Sequence, residues 1–582
     1  MTLMTLKINN KVVAAKTGQT ILEIAREYGI KIPSLCYHPD LDVKANCRVC
    51  VVEIKGRDKL ATACSTEAKA GMEIWTDSPR VKKARAINLE LVLAEHTKKC
   101  ADCIAFPDCE LLRLARVYKV KSDRLVPRKH GRKTYRFANA VEIDGEQCID
   151  CDNCVSACHN QGIDYLKMAG VGAAQEIVPD KDNNSACIYC GQCALHCPAA
   201  SAQEQSAWPA VEKAIKDKKK IVVAQFAPSI RVSIGEEFGL PYGVNCEGLI
   251  YTALKKLGFN SVVDVNFGAD ITTLTEAEEL VERMKDKNAI WPMMSSCCPS
   301  WVAYAEYYHP ELLPHLTMAR SPQIHLAGAV KTYWAEKKGI DPKNIVLVSI
   351  MPCTSKKYEA ARPELSLNGR PLVDYVLTTR ELAYLIKKNK IDFKKLTPSD
   401  GDKLFNHGSG AAAIYGASGG VMESALRSAA SLACADKKGS KAKQSPICTE
   451  RLEFKDVRGL AGFKEAIVAI GDKRIRVGIV NGIANLHKVL PKLKKYHCIE
   501  VMACPGGCIG GGGQPIPTTA AIRQKRLNGL YSIDKSRAIR RAHENKAAVE
   551  YYEWAKKHGL SAKVLHTKFQ KTDGSILTTV KN

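Results

Sequence analysis

Two hydrophobic patterns near the N-terminus predict a small β-grasp domain. Residues 5–15 alternate apolar and polar positions on either side of Asn9-Asn10, as in a β-hairpin closed by a two-residue turn. Apolar residues then recur at helical spacing over residues 20–29, where Thr20 and Glu23 form a capping box. A hairpin, a helix and a loop that carries cysteines are the parts of a β-grasp fold.

The region after about residue 210 has longer apolar runs. Residues 221–227 and 345–352 are almost continuously apolar, which predicts strands buried on both faces of a parallel sheet. Helical patterns at residues 276–285 and 381–388 lie between strand candidates, and this alternation indicates the βα units of an α/β domain. The longest apolar runs fall far short of the roughly 20 residues that cross a bilayer, so we expect no membrane-spanning segment.

Composition is that of a multidomain globular protein. The chain has 582 residues, 46% hydrophobic and 25% charged, so neither wholesale disorder nor a fibrous fold is expected. At roughly 100–200 residues per domain, this length predicts about three to five domains. The opening sequence MTLMTLKINN lacks the basic and apolar regions of a secretory signal, so we expect a soluble, intracellular protein.

The chain is strongly basic. It contains 86 Lys and Arg against 61 Asp and Glu, and the net charge of +25 attracts nucleic acid, anionic lipid or an acidic protein. The sequence has no recognisable nucleic-acid-binding motif, so we expect no nucleic-acid partner. Residues 124–136 concentrate basic side chains, either in a solvated loop or in a docking patch for an acidic electron carrier.

Most of the 24 cysteines are grouped, and close pairs in a long intracellular chain favour metal or cluster binding over disulfides. The first group suits a 2Fe–2S cluster, with a structural zinc site as the alternative. The second group adds a histidine, and its spacing fits zinc and a 4Fe–4S cluster equally well. The first group consists of Cys36, Cys47, Cys50 and Cys64. The second consists of His96, Cys100, Cys103 and Cys109.

Two later groups repeat the spacing C-x2-C-x2-C-x3-C, which is typical of bacterial ferredoxins with two 4Fe–4S clusters. In such proteins the fourth cysteine of each group binds the cluster of the other group. One cluster is therefore predicted to take Cys148, Cys151, Cys154 and Cys197. The other is predicted to take Cys187, Cys190, Cys193 and Cys158.

Three short segments hold the remaining ligand chemistry of the large region: SSCCPSW (295–301), MPCTSKKYE (351–359) and EVMACPGGCIGGGGQP (500–515). They contain five cysteines, whereas one cubane cluster needs four thiolates, so one thiol is left for chemistry. The glycines of the last segment predict backbone packed tightly around a cluster. No phosphate-binding loop or convincing dinucleotide fingerprint occurs in the sequence, which argues against a nucleotide site.

These three segments resemble the signature motifs of iron-only (FeFe) hydrogenases, and the order of the N-terminal cysteine groups is similar to that of the larger bacterial members. The resemblance extends over essentially the whole chain. Ser295 stands where threonine is commoner, which is a conservative change. The resemblance implies an oxidoreductase that interconverts protons and electrons with H2.

The resemblance also implies an H-cluster, a 4Fe–4S cubane joined to a two-iron subsite that carries CO, cyanide and an azadithiolate bridge. Cyanide bound to iron is anionic, so a lysine charge and hydrogen-bond donors suit it. The implied cubane ligands are Cys298, Cys353, Cys504 and Cys508, the last of which bridges to the two irons. The implied cyanide contacts are Lys356, Pro228 and Ser229. The residues implied to pack around CO are Gln323, Met351 and Met502.

A proton path is implied as well, and it starts at Cys297. Glu276 and Glu279 lie three residues apart on one predicted helix and so share a face. Alone, such a pair predicts a solvated helix face, whereas the resemblance places it with Thr317 on a proton path whose mouth lies near Arg283. Thr317 stands where the family often has serine, and it keeps the hydroxyl.

The whole chain is thus expected to combine α+β and α/β domains. These are a 2Fe–2S β-grasp domain (1–80), a 4Fe–4S domain with one histidine and three cysteine ligands (81–125), a ferredoxin-like domain with two 4Fe–4S clusters (138–208) and an H-cluster catalytic domain (209–582). The resemblance implies one 2Fe–2S cluster, three accessory 4Fe–4S clusters and the H-cluster. We expect a monomer in the cytoplasm of an anaerobe, or in a hydrogenosome. Its implied partners are an acidic carrier (ferredoxin or flavodoxin) and maturation proteins.

Three other functions fit parts of the pattern. A sensor, or a subunit of an electron-bifurcating complex, would keep this chemistry but need other chains for a nicotinamide or flavin. A non-catalytic iron–sulfur assembly protein would keep the cubane cysteines without the residues that hold two irons, whereas Cys297 and Lys356 are present here. An iron–sulfur nucleic-acid protein rests on the basic charge alone.

Overall fold

The structure is a computed structural model. It describes residues 3–94, 96, 100, 103–106, 108–129, 131–180, 185–405, 408–435, 453–470 and 473–580. His130, in the basic stretch 124–136, lies outside the described residues. Among the described helices, none has both the length and the apolar content that crossing a lipid bilayer requires.

The N-terminal domain is a mixed sheet covered by one helix. Its elements are β1 (Leu3–Ile8), β2 (Lys11–Lys16), α1 (Ile21–Glu27), β3 (Val51–Ile54), β4 (Ala61–Thr62) and β5 (Glu73–Trp75). The strand order is β2-β1-β5-β3-β4, with β1 antiparallel to β2 and parallel to β5. The predicted hairpin is confirmed, since Asn9 and Asn10 both have positive φ between the paired strands. The capping box between Thr20 and Glu23 is also confirmed.

Two helices connect this domain to a ferredoxin-like unit. These helices are α2 (Pro79–Ala94) and α3 (Glu110–Val117). Buried Arg85 of α2 ties them together, because it donates to the Tyr118 hydroxyl (3.0 Å) and to the carbonyl of Val51 (2.8 Å). The ferredoxin-like unit consists of β6 (Thr134–Phe137), β7 (Val141–Asp144), α4 (Asn153–Asn160), β8 (Leu166–Ala169), β9 (Glu176–Pro179), α5 (Gln192–Leu195) and β10 (Ala202–Glu204).

The large region is an α/β unit with two four-stranded sheets. Its first half consists of α6 (Trp208–Lys216), β11 (Ile221–Phe226), α7 (Glu247–Leu257), β12 (Ser261–Asp264), α8 (Val265–Lys285), β13 (Met293–Met294), α9 (Pro299–Tyr308), α10 (Pro322–Ala329), α11 (Ala335–Lys338) and β14 (Ile345–Met351). Its second half consists of α12 (Ser355–Ala360), β15 (Ser366–Leu367), β16 (Arg370–Pro371), β17 (Tyr375–Thr378), α13 (Thr379–Lys388), α14 (Gly410–Ala413), α15 (Gly420–Ala435), β18 (Phe463–Ile470), β19 (Lys473–Asn481) and β20 (Cys498–Met502).

Parallel pairing dominates both sheets. The first has the order β12-β11-β14-β17 and is parallel throughout. The second has the order β13-β20-β19-β18, in which only the β18–β19 pair is antiparallel. The two predicted buried strands are confirmed as the adjacent central strands β11 and β14. The predicted helices at 276–285 and 381–388 lie within α8 and α13.

The C-terminal segment returns to the ferredoxin-like unit. After α16 (Ala520–Ser536) and α17 (Lys546–Lys557), strand β21 (Leu577–Val580) pairs antiparallel with β6. It completes a sheet of order β10-β7-β6-β21. A strand that pairs with residues more than 400 positions earlier ties the catalytic region to the accessory region.

The basic stretch 124–136 is largely paired. Lys129 and Arg132 both contact the carboxylate of Asp150, at 3.0 and 3.1 Å. Arg124 forms an ion pair with Glu90 at 2.5 Å, and Arg136 forms one with Glu142 at 3.0 Å. Internal pairing offsets much of the positive charge of this segment, which weakens its interpretation as a docking patch.

Candidate active site and cluster-binding sites

The three cysteine-bearing segments follow strands of both sheets. Cys297 and Cys298 come after β13, Cys353 after β14, and Cys504 and Cys508 after β20. Strands β13 and β20 are parallel neighbours in one sheet, and β14 lies in the other sheet beside β11. Loops at the carboxyl ends of parallel strands form the usual crevice of an α/β protein. All five thiols therefore line one cavity.

The five thiols surround an empty space. Its volume is about 740 Å³, including the part that is open to solvent. Residues from β14, β20, helix α10 and the loop after β11 complete the wall, which is mostly apolar. Those predicted from the sequence, and found here, are Pro228, Ser229, Gln323, Met351, Lys356 and Met502.

The four predicted cubane ligands are buried away from solvent, in an environment that suits iron binding. Burial raises the pKa of the Cys353 thiol to about 12 and raises those of Cys298, Cys504 and Cys508 as well. The charges of these four thiols also act on one another, so they lie close together. Buried thiols of this kind ionise when a metal cation binds them, because the cation replaces the stabilisation that water would give. The donor set thus fits a cubane iron–sulfur cluster.

Glycines form a tight cradle around Cys508, as the sequence predicted. A Cβ on Gly511 would lie 2.3 Å from the carbonyl oxygen of Pro352. One on Gly507, which has φ +83°, would lie 2.8 Å from the amide nitrogen of Ser418. Such contacts exclude any side chain, so these loops pack backbone against backbone.

Lys356 provides a buried positive charge at the cavity wall. Its ammonium donates to Glu359 at 2.9 and 3.2 Å and to the carbonyl of Cys297 at 3.0 Å. Burial alone would lower the pKa of Lys356, but the Glu359 carboxylate outweighs this effect and raises it. The ammonium therefore stays charged and suits an anionic ligand. Gln323 also donates to Glu359, at 2.6 Å, while its Oε1 is buried without a partner among the described residues.

Cys297 has a different environment from its neighbour Cys298. Burial, and next the charge of Glu276, raise the pKa of Cys297 well above its usual value. For Glu276, burial and the nearby Glu279 and Glu500 carboxylates raise the pKa to about 8, against a hydrogen bond from Thr317. Both groups are therefore largely protonated near neutral pH, and both stand ready to exchange a proton.

Hydroxyl groups extend this arrangement away from the cavity. The Thr317 hydroxyl donates to Glu276 at 3.4 Å and lies 2.8 Å from the Ser296 hydroxyl. Glu279 accepts from the amide of Met318 at 3.0 Å and from Arg283 at 2.6 Å. Glu279 and Arg283 are only slightly exposed, so the row ends close to the surface.

The ferredoxin-like thiols of the two runs lie close to one another. The charges of Cys148, Cys151, Cys197 and Cys193 act on buried Cys154. Those of Cys190, Cys193 and Cys158 act on Cys187. The fourth cysteine of each run therefore lies beside the other run, as an exchange of ligands between two clusters requires.

In the N-terminal domain, thiols lie in pairs. Cys50 and Cys64 have their sulfurs 3.3 Å apart, and the Cys36 sulfur accepts from the amide of Cys47 at 3.4 Å. Two pairs suit a cluster in which each of two irons takes two thiolates.

The second predicted group is described in part. The charge of Cys109 acts on Cys100 and Cys103, so these three thiols lie close together. His96 is buried, and its Nδ1 donates to the carbonyl of Gln147 at 2.6 Å. This bond leaves Nε2 as the nitrogen for metal binding.

Four further residues at the site were not singled out from the sequence. Ser296 extends the hydroxyl row, Glu359 holds Lys356, and Glu500 contributes a buried carboxyl whose pKa burial raises to about 7. These three residues lie inside the three cysteine-bearing segments, so their position in the sequence could have identified them. Tyr415 lines the cavity and its hydroxyl lies 2.8 Å from Thr273; no spacing in the sequence connects it to the cysteines.

Fold and site together define an iron–sulfur oxidoreductase with a buried, cysteine-rich active site. Family models divide the chain accordingly. Residues 2–79 match a 2Fe-2S iron-sulfur cluster binding domain and residues 147–201 a 4Fe-4S dicluster domain. Residues 220–512 match the iron only hydrogenase large subunit, C-terminal domain, and residues 520–572 match the iron hydrogenase small subunit. The 2Fe-2S match favours a cluster over zinc in the N-terminal domain.

Relatives agree over nearly the full length. The chain is 40% identical over 573 residues to Iron hydrogenase 1 of Clostridium pasteurianum, with 95% of this chain and 97% of the relative covered. It is 37% identical to NADP-reducing hydrogenase subunit HndD of Solidesulfovibrio fructosivorans, with 98% and 99% covered. The structure of apo [FeFe]-hydrogenase HydA1 from Chlamydomonas reinhardtii matches with a TM-score of 0.54 and 35% identity, covering 62% of this chain and 99% of that one. This chain therefore belongs to the iron-only (FeFe) hydrogenases, oxidoreductases that act on H2.

Proposed function

We propose that the protein reduces protons to H2 reversibly at an H-cluster in the cavity, with electrons that pass through four accessory clusters. The cavity carries the proposal: four mutually close, buried thiols from three loops, with a fifth buried thiol beside a protonated glutamic acid. When bound, the H-cluster, including its azadithiolate bridge, supplies the irons at which protons, electrons and H2 interconvert. The residues of the chain bind it, exclude water and move protons.

The binding roles follow from the chemistry of the wall. Cys298, Cys353, Cys504 and Cys508 would hold the cubane through their thiolates, and Cys508 would also serve the two-iron subsite. The charged Lys356, with Pro228 and Ser229, would hold the anionic cyanides. Gln323, Met351 and Met502 fill the space around CO, where apolar and weakly polar side chains exclude water.

The proton roles follow from protonation state and reach. Cys297 would hold an exchangeable proton on its Sγ beside the bound cofactor, and the Glu276 carboxyl would exchange the next one with Cys297. The Thr317 hydroxyl, which donates to Glu276, would relay a proton towards Glu279, whose carboxylate accepts from the adjacent Met318 amide and lies against Arg283 near the surface. Each step joins a protonated group, a carboxylate or a hydroxyl that can both donate and accept.

We further propose an acidic small redox protein, such as ferredoxin or flavodoxin, as the electron carrier. The net charge of +25 supports this proposal, because a basic surface steers acidic partners. We place the monomeric enzyme in the cytoplasm, since reduced clusters persist in a reducing compartment.

A second candidate function is a hydrogenase subunit in a larger complex. It is favoured by the full-length similarity to a relative named as a subunit of an NADP-reducing hydrogenase. The mass of the native particle decides between the two: a particle of one chain supports the ferredoxin-linked monomer, and a stable hetero-oligomer supports the subunit.

An infrared spectrum of anaerobically matured protein tests the proposed function. We expect the stretching bands of iron-bound CO and cyanide, together with cubane signals in EPR. A protein that carries cubanes but lacks these bands, while a known hydrogenase matured in parallel shows them, would contradict the two-iron site.

A further inference from the structure

Three loops meet where the ferredoxin-like unit contacts the catalytic unit. One loop, residues 189–192, contains the cluster ligand Cys190. Thr354, next to Cys353, donates its hydroxyl to the carbonyl of Tyr189 at 2.8 Å. Gln192 donates to the carbonyl of Gly510 at 2.9 Å, in the loop that carries Cys508. These two hydrogen bonds bracket Cys190 on either side.

Between these two hydrogen bonds, the backbones of Gly191 and Gly512 are in direct contact. Gly191 has φ +70°, and a Cβ there would lie 2.3 Å from Thr354 Oγ1 and 3.1 Å from the Cα of Gly512. A Cβ on Gly512 would lie 2.4 Å from the carbonyl oxygen of Cys190 and 2.6 Å from the Cα of Gly191. Neither position has room for a methyl group, so the two backbones are as close as they can be.

A buried ion pair holds the Gly512 loop in this place. Arg380 of α13 donates to the carbonyls of Gly512 (2.8 Å) and Gln514 (2.6 Å). The same guanidinium pairs with Glu204, the last residue of β10 in the ferredoxin-like unit. Glu204 is fully buried and Arg380 is 9% exposed. One side chain thus fixes the loop and joins the two units.

We propose that Gly191 and Gly512 are positioning residues for electron entry. Their contact sets the separation between the accessory cluster bound through Cys190 and the cubane bound by the catalytic thiols. In H2 formation one electron leaves the accessory cluster, which is oxidised by one electron, and enters the cubane, which is reduced by one. The flow reverses when H2 is oxidised. This inference rests on the proposed function.

Distance is the reason that the contact matters. Electron tunnelling through protein slows steeply as the separation of the two centres grows. Both hydrogen bonds beside Cys190 end in loops that carry catalytic thiols, one at Thr354 next to Cys353 and one at Gly510 in the loop of Cys508. A single methyl group between the loops must push them apart, because both sides of the contact are backbone.

The test uses matured holoenzyme with Gly512→Ala. Pulsed EPR measures the magnetic coupling between the accessory cluster and the H-cluster. Infrared spectroscopy after flash reduction of the accessory clusters measures the arrival of the electron. We expect weaker coupling and severalfold slower arrival, with parental CO and cyanide bands and parental H2/D2O exchange, because exchange needs no electron from the accessory clusters. The control is Gly478→Ala, whose Cβ would meet only ring atoms at 3.4 Å; it should match the parent in every readout.

A second pair of variants separates spacing from backbone strain. Gly191→Ala clashes chiefly with the Thr354 side chain, at 2.3 and 2.9 Å, so Gly191→Ala with Thr354→Ala should recover the coupling and rate of Thr354→Ala alone, which lacks the hydrogen bond to Tyr189. If Gly512→Ala does not mature, the comparison of Gly191→Ala with the double variant tests the proposal in its place. Parental coupling and rate in Gly512→Ala, or in Gly191→Ala alone, would overturn the proposal. Missing CO and cyanide bands in the parent would instead overturn the proposed function.

Discussion

Cys297 and Cys298 are adjacent in sequence, but the structure gives them different chemistry. Cys298 is the residue before helix α9; burial raises its pKa, and backbone amides of Ala503, Trp301 and Ser300 offset part of that rise. Donors of this kind favour a thiolate, which is the form that binds iron. Cys297 faces Glu276 instead, and burial together with that charge keeps its thiol protonated. One position along the chain therefore separates the proposed iron ligand from the proposed proton carrier.

Cys297→Ala should preserve iron content and the infrared bands while removing most turnover, because the change removes proton exchange and no ligand. Iron analysis, infrared spectroscopy and H2 evolution measure the three effects. Cys246→Ala serves as the control, since Cys246 is also a buried thiol of the catalytic unit but lies outside the cavity. Turnover in Cys297→Ala equal to that of the control would rule out the proposed role.

Glu276 should carry its proton at pH 7 and lose it as the pH passes about 8. Its usual pKa is near 4.5, so between these two values the folded protein holds a proton that the unfolded chain has released. Stability should therefore fall as the pH rises through this window. Infrared titration should show a protonated carboxyl band in the parent at pH 7. In Glu276→Gln this band should be absent. An unchanged band in this variant would show that it arises from another carboxyl group.

Glu279→Gln should slow turnover without changing cluster loading. The amide keeps an oxygen for the Met318 amide but cannot accept and release the proton near Arg283. Glu278→Gln is the matched control, because Glu278 is the adjacent residue on α8 yet pairs with Lys556 and Tyr552. Steady-state H2 evolution with a dye donor compares the two variants, and equal rates would exclude Glu279 from the path.

At the scale of elements, helix α8 positions three side chains of the proposed proton path. The loops that follow the strand ends position the residues of the cavity wall. Helix α8 carries Glu276, Glu279 and Arg283 over two turns, and 15 of its 21 residues are buried. A buried helix face is the opposite of the solvated face that two glutamates alone predict. Helix α8 is buried because it packs against α10 and α15, which exclude water from it. Its own sequence does not separate an apolar face clearly from a polar one.

Breaking the ion pair between Arg380 and Glu204 should loosen the junction of the two units. Removing one partner of a buried pair leaves an uncompensated charge, at a cost of about 3–5 kcal/mol. In Arg380→Met, hydrogen exchange should therefore become faster at residues 202–204 and 510–514. Arg136→Met provides the control, because its pair with Glu142 is half-exposed and worth about 1 kcal/mol or less. Unchanged protection in Arg380→Met would show that the pair does not hold the junction.

At the scale of the whole molecule, net charge should govern encounter with the proposed electron carrier. Association with an acidic ferredoxin should slow severalfold as ionic strength rises, because salt screens the steering by a surface of net charge +25. Stopped-flow mixing at several salt concentrations measures this rate. Reduction by methyl viologen, a small cation, should show no such decline. An association rate independent of salt would exclude electrostatic steering.

Much of the molecule could be read from its sequence, because the relevant information is local. Ligand spacing fixes the reach of neighbouring thiols, so each cysteine group was identified from a few residues. The hairpin at Asn9-Asn10 and the capping box at Thr20 and Glu23 depend only on adjacent positions. The apolar runs that form β11 and β14 could be recognised because a continuous apolar run predicts a strand buried on both faces.

Contacts between distant segments were decided by the tertiary structure alone. Glycines 191 and 512 meet, Tyr415 enters the cavity wall, and β21 joins a sheet begun more than 400 residues earlier, none of which has a local signal. The basic stretch 124–136, which the sequence leaves as a solvated loop or a docking patch, has side chains paired with acids from other elements. The sequence by itself determined which groups we propose as iron ligands, since spacing and donor type are local. The fold decided which carboxyls keep a proton and how closely the units approach, because burial and distance exist only once the chain has packed.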